Sequence, residues 1–512
     1  MIRHFRNSLR LLTIARVLAR HDALFLLSSL PVTRRIARLA RLVCNARAEG
    51  RPGERLAAAL VELGPSFIKF GQALSTRADL VGDEVAADLS MLQDRLAPFP
   101  FAEVETIVAE EFGRPIGELF AEFEARPVAA ASVAQVHRAV DREGRALAVK
   151  VIRPGVEAAF ERDLDLLYWL ADIAERTQPA LRRLRPLETV ETFANTVAME
   201  MDLRFEAAAA SELAENFADD ETFRVPEVLW PLTDKRVLTT TWIEGIPIDE
   251  RAALIAAGHD PKAVAERAAR AFFKMVFTDG FFHGDMHPGN LFVGQDGAIL
   301  AVDFGIMGRV DEATRRYLGE MLLAFLNGDY RRAAEIHFEA GYVPGDRSVD
   351  LFAQACRSIA EPILGKAAAE ISLARLLAQL FKVTETFGME TQPQLLVLQK
   401  TMLTAEGVGR SLCPDVNFWE LARPPVEEWM AMNVSAPARL RRSIEDTLVA
   451  AASLPRLVQR AERISAQFSE KGFKLHPDTV KELSARRKFN LVQVWMPWML
   501  IAVLCTLLLL RR

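Results

Sequence analysis

His283-Gly-Asp-Met-His-Pro-Gly-Asn290, followed thirteen residues later by Asp303-Phe-Gly305, is the stretch that decides the fold. An acid, Asp285, stands five residues before a carboxamide, Asn290. The apolar run Ala298-Ile-Leu-Ala-Val302 then reads as a strand that brings Asp303 back to the same place. Carboxylate and carboxamide oxygens are the donors that suit Mg²⁺ beside phosphates. Phosphoryl transfer asks little covalent help from a protein and much charge and positioning. In that chemistry Asp285 lies by the attacking group, and Asn290 and Asp303 hold metal.

The spacing is that of a protein-kinase catalytic loop, H-R-D-x-x-x-x-N, with its later D-F-G. A second interpretation stays open at this point. His283, Asp285 and His287, alternating in an extended loop, could converge on a transition metal. It leaves Asn290 and the strand-borne Asp303-Phe-Gly305 unexplained. The plainest alternative is a polar loop with satisfied histidines.

At 512 residues, half of them hydrophobic, the chain can bury more than one domain. A net charge of −5 argues against a nucleic-acid partner. Cys44, Cys356, Cys413 and Cys505 lie far apart without a C-x-x-C. That excludes a disulfide framework and a zinc ribbon, and suits a reducing compartment.

Residues 1–55 are rich in Arg, from Arg3 to Arg47, with Leu and Ile between at helical spacing. They read as a basic amphipathic segment on an anionic membrane surface, or as a solvated helix packed on the domain behind it. Residues 56–126 read as a helical extension. Within it Gly64-Pro65 opens a helix, with Phe67, Phe70, Leu74 and Ala78 on one face and Lys69 and Gln72 on the other. Gly71 in mid-helix costs about 1 kcal/mol against Ala, which points to a close approach there.

Residues 127–245 change pattern. Val128–Val140 reads as strand, tight turn, strand; Arg142-Glu-Gly144 is a turn; Ala146–Ile152 is the next strand. Lys150 on that strand resembles the V-A-I-K lysine that grips the α- and β-phosphates. A buried strand lysine needs an acid. Glu206 is the expected partner, on a helix over Val190–Ser211 with Asp202 on the same face and Val197, Met201 and Phe205 toward the core. Where kinases carry a Gly-rich phosphate loop, this chain has Ala129-Ala130-Ala131-Ser132, whose Cβ atoms stiffen the turn. Val237–Gly245 reads as a strand entering an interlobe linker, with an adenine slot near Thr241–Ile243.

Residues 246–430 read as a helical lobe. A helix over Ala263–Phe282 delivers the catalytic loop, and only Ile306–Val310 separates Asp303-Phe-Gly305 from the helix Asp311–Asn327. With no Ala-Pro-Glu and no long activation loop, a kinase-type peptide platform is not expected. Residues 431–488 read as helical and membrane-proximal. Phe489–Leu510 is uncharged and flanked by Arg486-Arg-Lys488 and Arg511-Arg512. Its length suits a transmembrane helix across a ~30 Å hydrocarbon layer, and a buried core helix is the alternative. The main body is then expected in the cytoplasm, where its nucleotide is.

From about Leu56 to Arg309 these motifs resemble the UbiB family of atypical kinase-like proteins. The carrying residues are Lys69-Phe-Gly-Gln72, Arg77 and Asp79, Gln93-Asp94, Ala129–Ser132, Lys150 before Arg153-Pro-Gly155, Glu200-x-Asp202, Glu206, the catalytic loop and Asp303-Phe-Gly305. The resemblance implies an α+β, protein-kinase-like two-lobe fold with a helical N-terminal extension and a C-terminal transmembrane helix. It implies ATP or ADP with Mg²⁺, held by Ala129, Ala130, Ala131, Ser132, Lys150 and Ile243, with Asp285, Lys150 and Glu206 catalytic. It makes Lys69, Gln72, Glu200 and Asp202 regulatory, on a helix lying where a kinase takes its protein substrate and on the segment that helix meets. The implied partners are inner-membrane lipid, polyprenyl quinone precursors and other proteins of ubiquinone synthesis. Family members also carry the label 2-polyprenylphenol 6-hydroxylase. This chain shows no G-x-G-x-x-G after a strand and no iron triad, so hydroxylation is not expected of it. The functions in play are a membrane-anchored ATPase or kinase, a nucleotide-gated scaffold, and a small-molecule phosphotransferase with the same H-G-D loop.

Overall fold

The computed structural model describes residues 2–23, 50–75, 81–90, 97–177, 186–362, 383, 386–389, 393–414 and 418–433. Phe489–Leu510 with its basic flanks, residues 24–49, Arg77, Ala78, Asp79 and Gln93-Asp94 lie outside them. Among the described residues no helix is long and apolar enough to cross a membrane. The chain divides into two compact units, Leu12–Trp429 and Met1–Leu11 with Met430–Arg512. All the candidate site residues fall in the first.

Helix α1 (Ile2–Arg20) precedes the extension, which is built of α2 (Pro52–Leu63), α3 (Pro65–Ser75) and α4 (Asp83–Ser90), packed against one another. Pro65 opens α3 as expected. The inward face differs from the expected one: Phe67, Ile68 and Gly71 are buried, whereas Phe70 and Leu74 are half-buried. Neighbouring helices widen the buried stripe. Those neighbours are α2, α4 and the long helix Val156–Thr177.

Helices α5 (Phe101–Phe112) and α6 (Ile116–Leu119) lead into a sheet of β1 (Glu122–Phe123), β2 (Ala129–Ala130), β3 (Ala134–Val140) and β4 (Ala146–Ile152). The long helix Val156–Thr177 is α7. β6 (Val237–Thr241) completes the sheet, in the order β1-β3-β4-β6 with β2 also on β3, all antiparallel. The pleat sends alternate side chains to opposite faces. Leu147, Val149 and Val151 face a core with Val104, Ile107, Val108 and Phe120. Lys150 therefore faces the other way. Each fully buried Leu or Val there stabilises by about 1.5–3 kcal/mol.

On the far face, Val197, Met201, Leu203 and Ala207 pack with Ile152, Phe160 and Leu238. Val197 lies on α8 (Pro186–Glu200), Leu203 and Ala207 on α9 (Leu203–Asn216), and Met201 in the break between, where one continuous helix was expected. Asp202 lies between them and caps the second, accepting from the Arg204 amide at 3.1 Å. An Asp that can satisfy the open amides of a new helix competes with continuation of the old one. The break exposes Phe205 and turns Glu206 inward, so Asp202 and Glu206 do not share a face.

The second lobe begins after β5 (Phe223–Arg224) with β7 (Ile246–Pro247), α10 (Arg251–Ala256) and α11 (Pro261–Phe273). The helix expected to run to Phe282 instead widens into a π turn over Lys274–Asp279. Gly280, at φ 67°, ends it in the left-handed region. Arg315 takes the released carbonyls of Phe277 and Thr278, at 3.1 and 2.6 Å. Phe281–His283 becomes β8, paired with β11 (Met307–Arg309). β9 (Leu291–Val293) and β10 (Ile299–Ala301) join β5 and β7 in the order β5-β10-β9-β7. Helices α12 (Glu312–Leu326), α13 (Tyr330–Glu339), α14 (Val349–Ala360), α15 (Pro393–Leu412) and α16 (Phe418–Asn433) come next along the chain. Asp311 caps α12 through the Thr314 amide at 2.7 Å, which bears out the short path expected after Asp303-Phe-Gly305. Helix α16 runs through Pro424-Pro425.

Candidate active site

Lys150 leaves β4 toward α9 and meets both Glu206 oxygens, at 2.8 and 2.9 Å, and Asp303 Oδ1 at 3.2 Å. The expected pair is present, and a third group joins it. Burial opposes the ammonium charge, but the carboxylates of Asp303 and Glu206 together outweigh it and raise the lysine pKa. Burial also raises the pKa of Glu206, ahead of the pull of Lys150. Asp303 goes the other way: the Lys150 charge beside it, with Lys69 contributing against burial, holds its carboxyl down at about 2. One ammonium thus serves a buried acid and a half-exposed one.

Strand β10 delivers Asp303 and the 3₁₀ turn Pro288–Asn290 delivers Asn290. The Val302 amide donates to the Asn290 carbonyl at 2.9 Å, so the two segments are tied one residue from Asp303. Asp303 has φ 61°, a left-handed angle uncommon for a side chain bearing a Cβ and often found at functional sites. The Asn290 amide nitrogen donates to the Asp285 carbonyl at 3.1 Å. That leaves its carboxamide oxygen, with the Asp303 carboxylate, as an all-oxygen donor pair. Such a pair fits Mg²⁺, which takes one or two protein ligands and completes its shell with water and phosphate.

The histidines brace the loop, which overturns the transition-metal interpretation. His283 is fully buried; its Nδ1 accepts from the Asp285 amide at 3.0 Å and its Nε2 donates to the Val302 carbonyl at 3.1 Å. Burial lowers its pKa and favours the neutral ring. His287 Nδ1 accepts from the Gly289 amide at 3.1 Å. Among the described residues no group of three or more His, Cys, Asp or Glu could hold a metal.

The Ala loop is a tight turn. Ala129 and Ala130 pair with Val136 and Gln135, and the Ala131 amide reaches the Ala134 carbonyl at 2.8 Å. Ser132 is buried. Arg153 pins the turn, donating to the carbonyls of Ala131 at 3.1 Å and Ala97 at 2.9 Å. Ile243 lies half-exposed in the segment after β6.

Lys69 pairs with Glu200 at 3.0 Å, and both side chains are largely buried, at 15 and 13 % exposure. Lys69 is not on a solvated face. Asp202 pairs with Arg204 at 2.7 Å and not with Lys69. Gln72 is half-buried on the same helix as Lys69, its carbonyl accepting from Ser75 Oγ at 2.7 Å.

One site residue was not legible in the sequence. Lys400, on α15, lies 3.1 Å from Asp285 Oδ1. No spacing links positions 115 residues apart, but Gly284 carried a trace of it. A Cβ there would come within 3.0 Å of Val397 and 2.9 Å of Ile306. The glycine beside Asp285 marks something packed closely against the loop.

A family model of the ABC1 atypical kinase-like domain matches residues 91–337, and one of the UbiB helical domain matches 356–417. The probable protein kinase UbiB of Marinobacter nauticus is 44 % identical over 400 residues, which is 77 % of this chain and 73 % of that protein. The chain belongs to the UbiB family. A second member, from Xanthomonas campestris pv. campestris, is 42 % identical over 472 residues, 88 % of this chain and 84 % of that one. Among solved structures, the complex of Rv3197 with erythromycin from Mycobacterium tuberculosis is 26 % identical, with a TM-score of 0.48, over 72 % of this chain and 92 % of that one. Within the UbiB family frame, Lys150, Glu206, Asp285, Asn290 and Asp303 fall in the kinase-like domain, whereas Lys400 comes from the UbiB helical domain.

Proposed function

We propose that the protein is an atypical kinase or ATPase that binds a Mg²⁺–adenine nucleotide and serves ubiquinone synthesis at a membrane. The observation that carries the catalytic part is Lys150 bridging Glu206 and Asp303, with Asn290 tied to Val302 next to Asp303. Bound there, Mg²⁺ would supply charge on the phosphates, with the Asn290 and Asp303 oxygens as its protein ligands. Lys150 orients the α- and β-phosphates, and Asp285 positions the acceptor and takes its proton. The pinned Ala129–Ser132 turn covers the phosphates and tunes the preference between ATP and ADP. The path from Asp303-Phe-Gly305 to α12 is too short for a peptide platform, and Lys69 on α3 adds its charge at Asp303. Both features favour water or a small hydroxyl compound as acceptor. The quinone role, polyprenyl precursors and membrane attachment rest on the family likeness and on the uncharged run at Phe489–Leu510.

The test is Asp303→Asn. Wild type should show a melting-temperature rise with MgATP and MgADP that depends on Mg²⁺, and the variant should lose most of it while keeping its fold by circular dichroism. Loss of quinone in cells carrying the variant ties the nucleotide site to the pathway. An undiminished Mg²⁺-dependent shift would remove Asp303 from the site. Normal quinone levels with abolished ATP turnover would favour a scaffold over an enzyme.

A further inference from the structure

We propose that Lys400 is a catalytic residue, the cation that accompanies the phosphoryl group from its leaving nucleoside diphosphate to its acceptor. This role rests on the proposed phosphoryl-transfer function and names a group that function did not assign. A phosphoryl transition state spreads charge over three equatorial oxygens next to the acid that holds the acceptor. Preorganised positive charge at that point stabilises the transition state directly. Lys150 is committed to Glu206 and Asp303. Between Asp285 and Asn290 the loop offers Met286, His287, Pro288 and Gly289, with no Lys or Arg, and His287 is engaged in bracing the turn. The positive charge beside Asp285 comes from the helical domain instead.

Its delivery is built into the fold. Leu398, Thr401, Ala405, Val408 and Leu412 are buried at spacings of three and four, which seats α15 along α11. Arg251 Nε donates to the Leu412 carbonyl at 2.9 Å and fixes the end of the helix. Val397, three residues before Lys400 and so on the same side, lies against Gly284. A Cβ at Gly284 would crowd Ile306 and Val397, so the glycine lets the helix and the loop approach closely. Lys400 itself is 41 % exposed, unlike the buried stripe. A compact ammonium on a four-carbon stem can move a few ångströms while its helix stays still. It rests on Asp285 and is placed to turn from there to an incoming phosphoryl group.

In the step, the bond from phosphorus to the leaving diphosphate oxygen breaks as a bond to the oxygen of water or an alcohol forms. The acceptor proton passes to the Asp285 carboxylate. Lys400 stays protonated throughout. The ammonium turns from Asp285 to the phosphoryl oxygens as their charge develops.

The test compares full-length wild type with Lys400→Met and Lys400→Arg, reading MgADP-induced melting shifts and steady-state phosphate release from MgATP. Lys400→Met should keep the melting temperature and the MgADP shift. Its kcat should fall about 100-fold or more with KM changed only a few-fold, the size of effect seen for one lost transition-state donor. Lys400→Arg, which keeps the charge, should recover at least about tenfold of that loss. Turnover by Lys400→Met equal to or above wild type would overturn the proposal and make the ion pair a restraint on Asp285. Loss of the MgADP shift in Lys400→Met would also overturn it, leaving Lys400 a structural tie. A wild type with neither MgADP shift nor phosphate release would overturn the phosphoryl-transfer function itself, and this inference with it.

Discussion

Glu206 is 9 % exposed, and Lys150 contacts both of its oxygens, which opposes the cost of burying its carboxylate. Two such ions are costly to desolvate, and their attraction roughly offsets that cost while both are present. Removing one leaves the other buried and alone. Lys150→Met should therefore destabilise by about 3–5 kcal/mol, read as a fall in denaturation midpoint with an unchanged slope. Adding Glu206→Leu should recover part of the loss, since a buried pair replaced by apolar groups is often neutral. If the single variant is as stable as wild type, the pair is not the desolvated lock its geometry describes. Asp303 differs because half of it meets solvent. Its ion pair with Lys150 is screened, contributes about 1 kcal/mol or less to stability, and is left available for a ligand.

At the scale of elements, the break between α8 and α9 sets the site. A continuous helix through Met201-Asp202 would carry Glu206 past Lys150 and bury Phe205 in its place. The break holds because Asp202 caps α9 and the Leu203 amide bonds the Lys235 carbonyl at 2.9 Å. Asp202→Ala should cost about 1 kcal/mol, and Asp202→Asn, an equally good cap, close to nothing. Equal losses in the two variants would show that the Arg204 ion pair matters more than the cap. The π turn before β8 works in the same way. It ends a helix early so that three residues of strand can set His283, and through it Asp285, at a fixed height.

The whole molecule brings five parts of the chain to one place: α3, the sheet, α9, the loops around β8 to β10, and α15. Lys69 ties the first of these to the body through Glu200, and its charge reaches Asp303. Loosening that tie should uncover the nucleotide. Lys69→Ala is expected to raise phosphate release from MgATP in vitro by a few-fold while quinone synthesis in cells falls. A variant that releases less phosphate yet still supports quinone synthesis would make Lys69 a catalytic aid.

Local chemistry was readable in the chain without its fold. The strands at Ala134–Val140 and Ala146–Ile152, the turn at Gly144, the helix at Pro65, and the short path to Asp311 follow from alternation, proline and capping, which act over a few residues. The nearness of Asn290 to Asp303 was readable too, because it depends on separations along one loop and one strand. Lys150 could be matched to Glu206 because a strand lysine must find an acid. The helix break at Asp202, the outward Phe205, the bracing of both histidines, Arg153 on the Ala turn and Lys400 on Asp285 were decided by tertiary structure. Each depends on which of several adequate local choices leaves no buried group unpaired once distant segments pack. That competition is settled between residues as far apart as Asp285 and Lys400, where spacing along the chain carries no information.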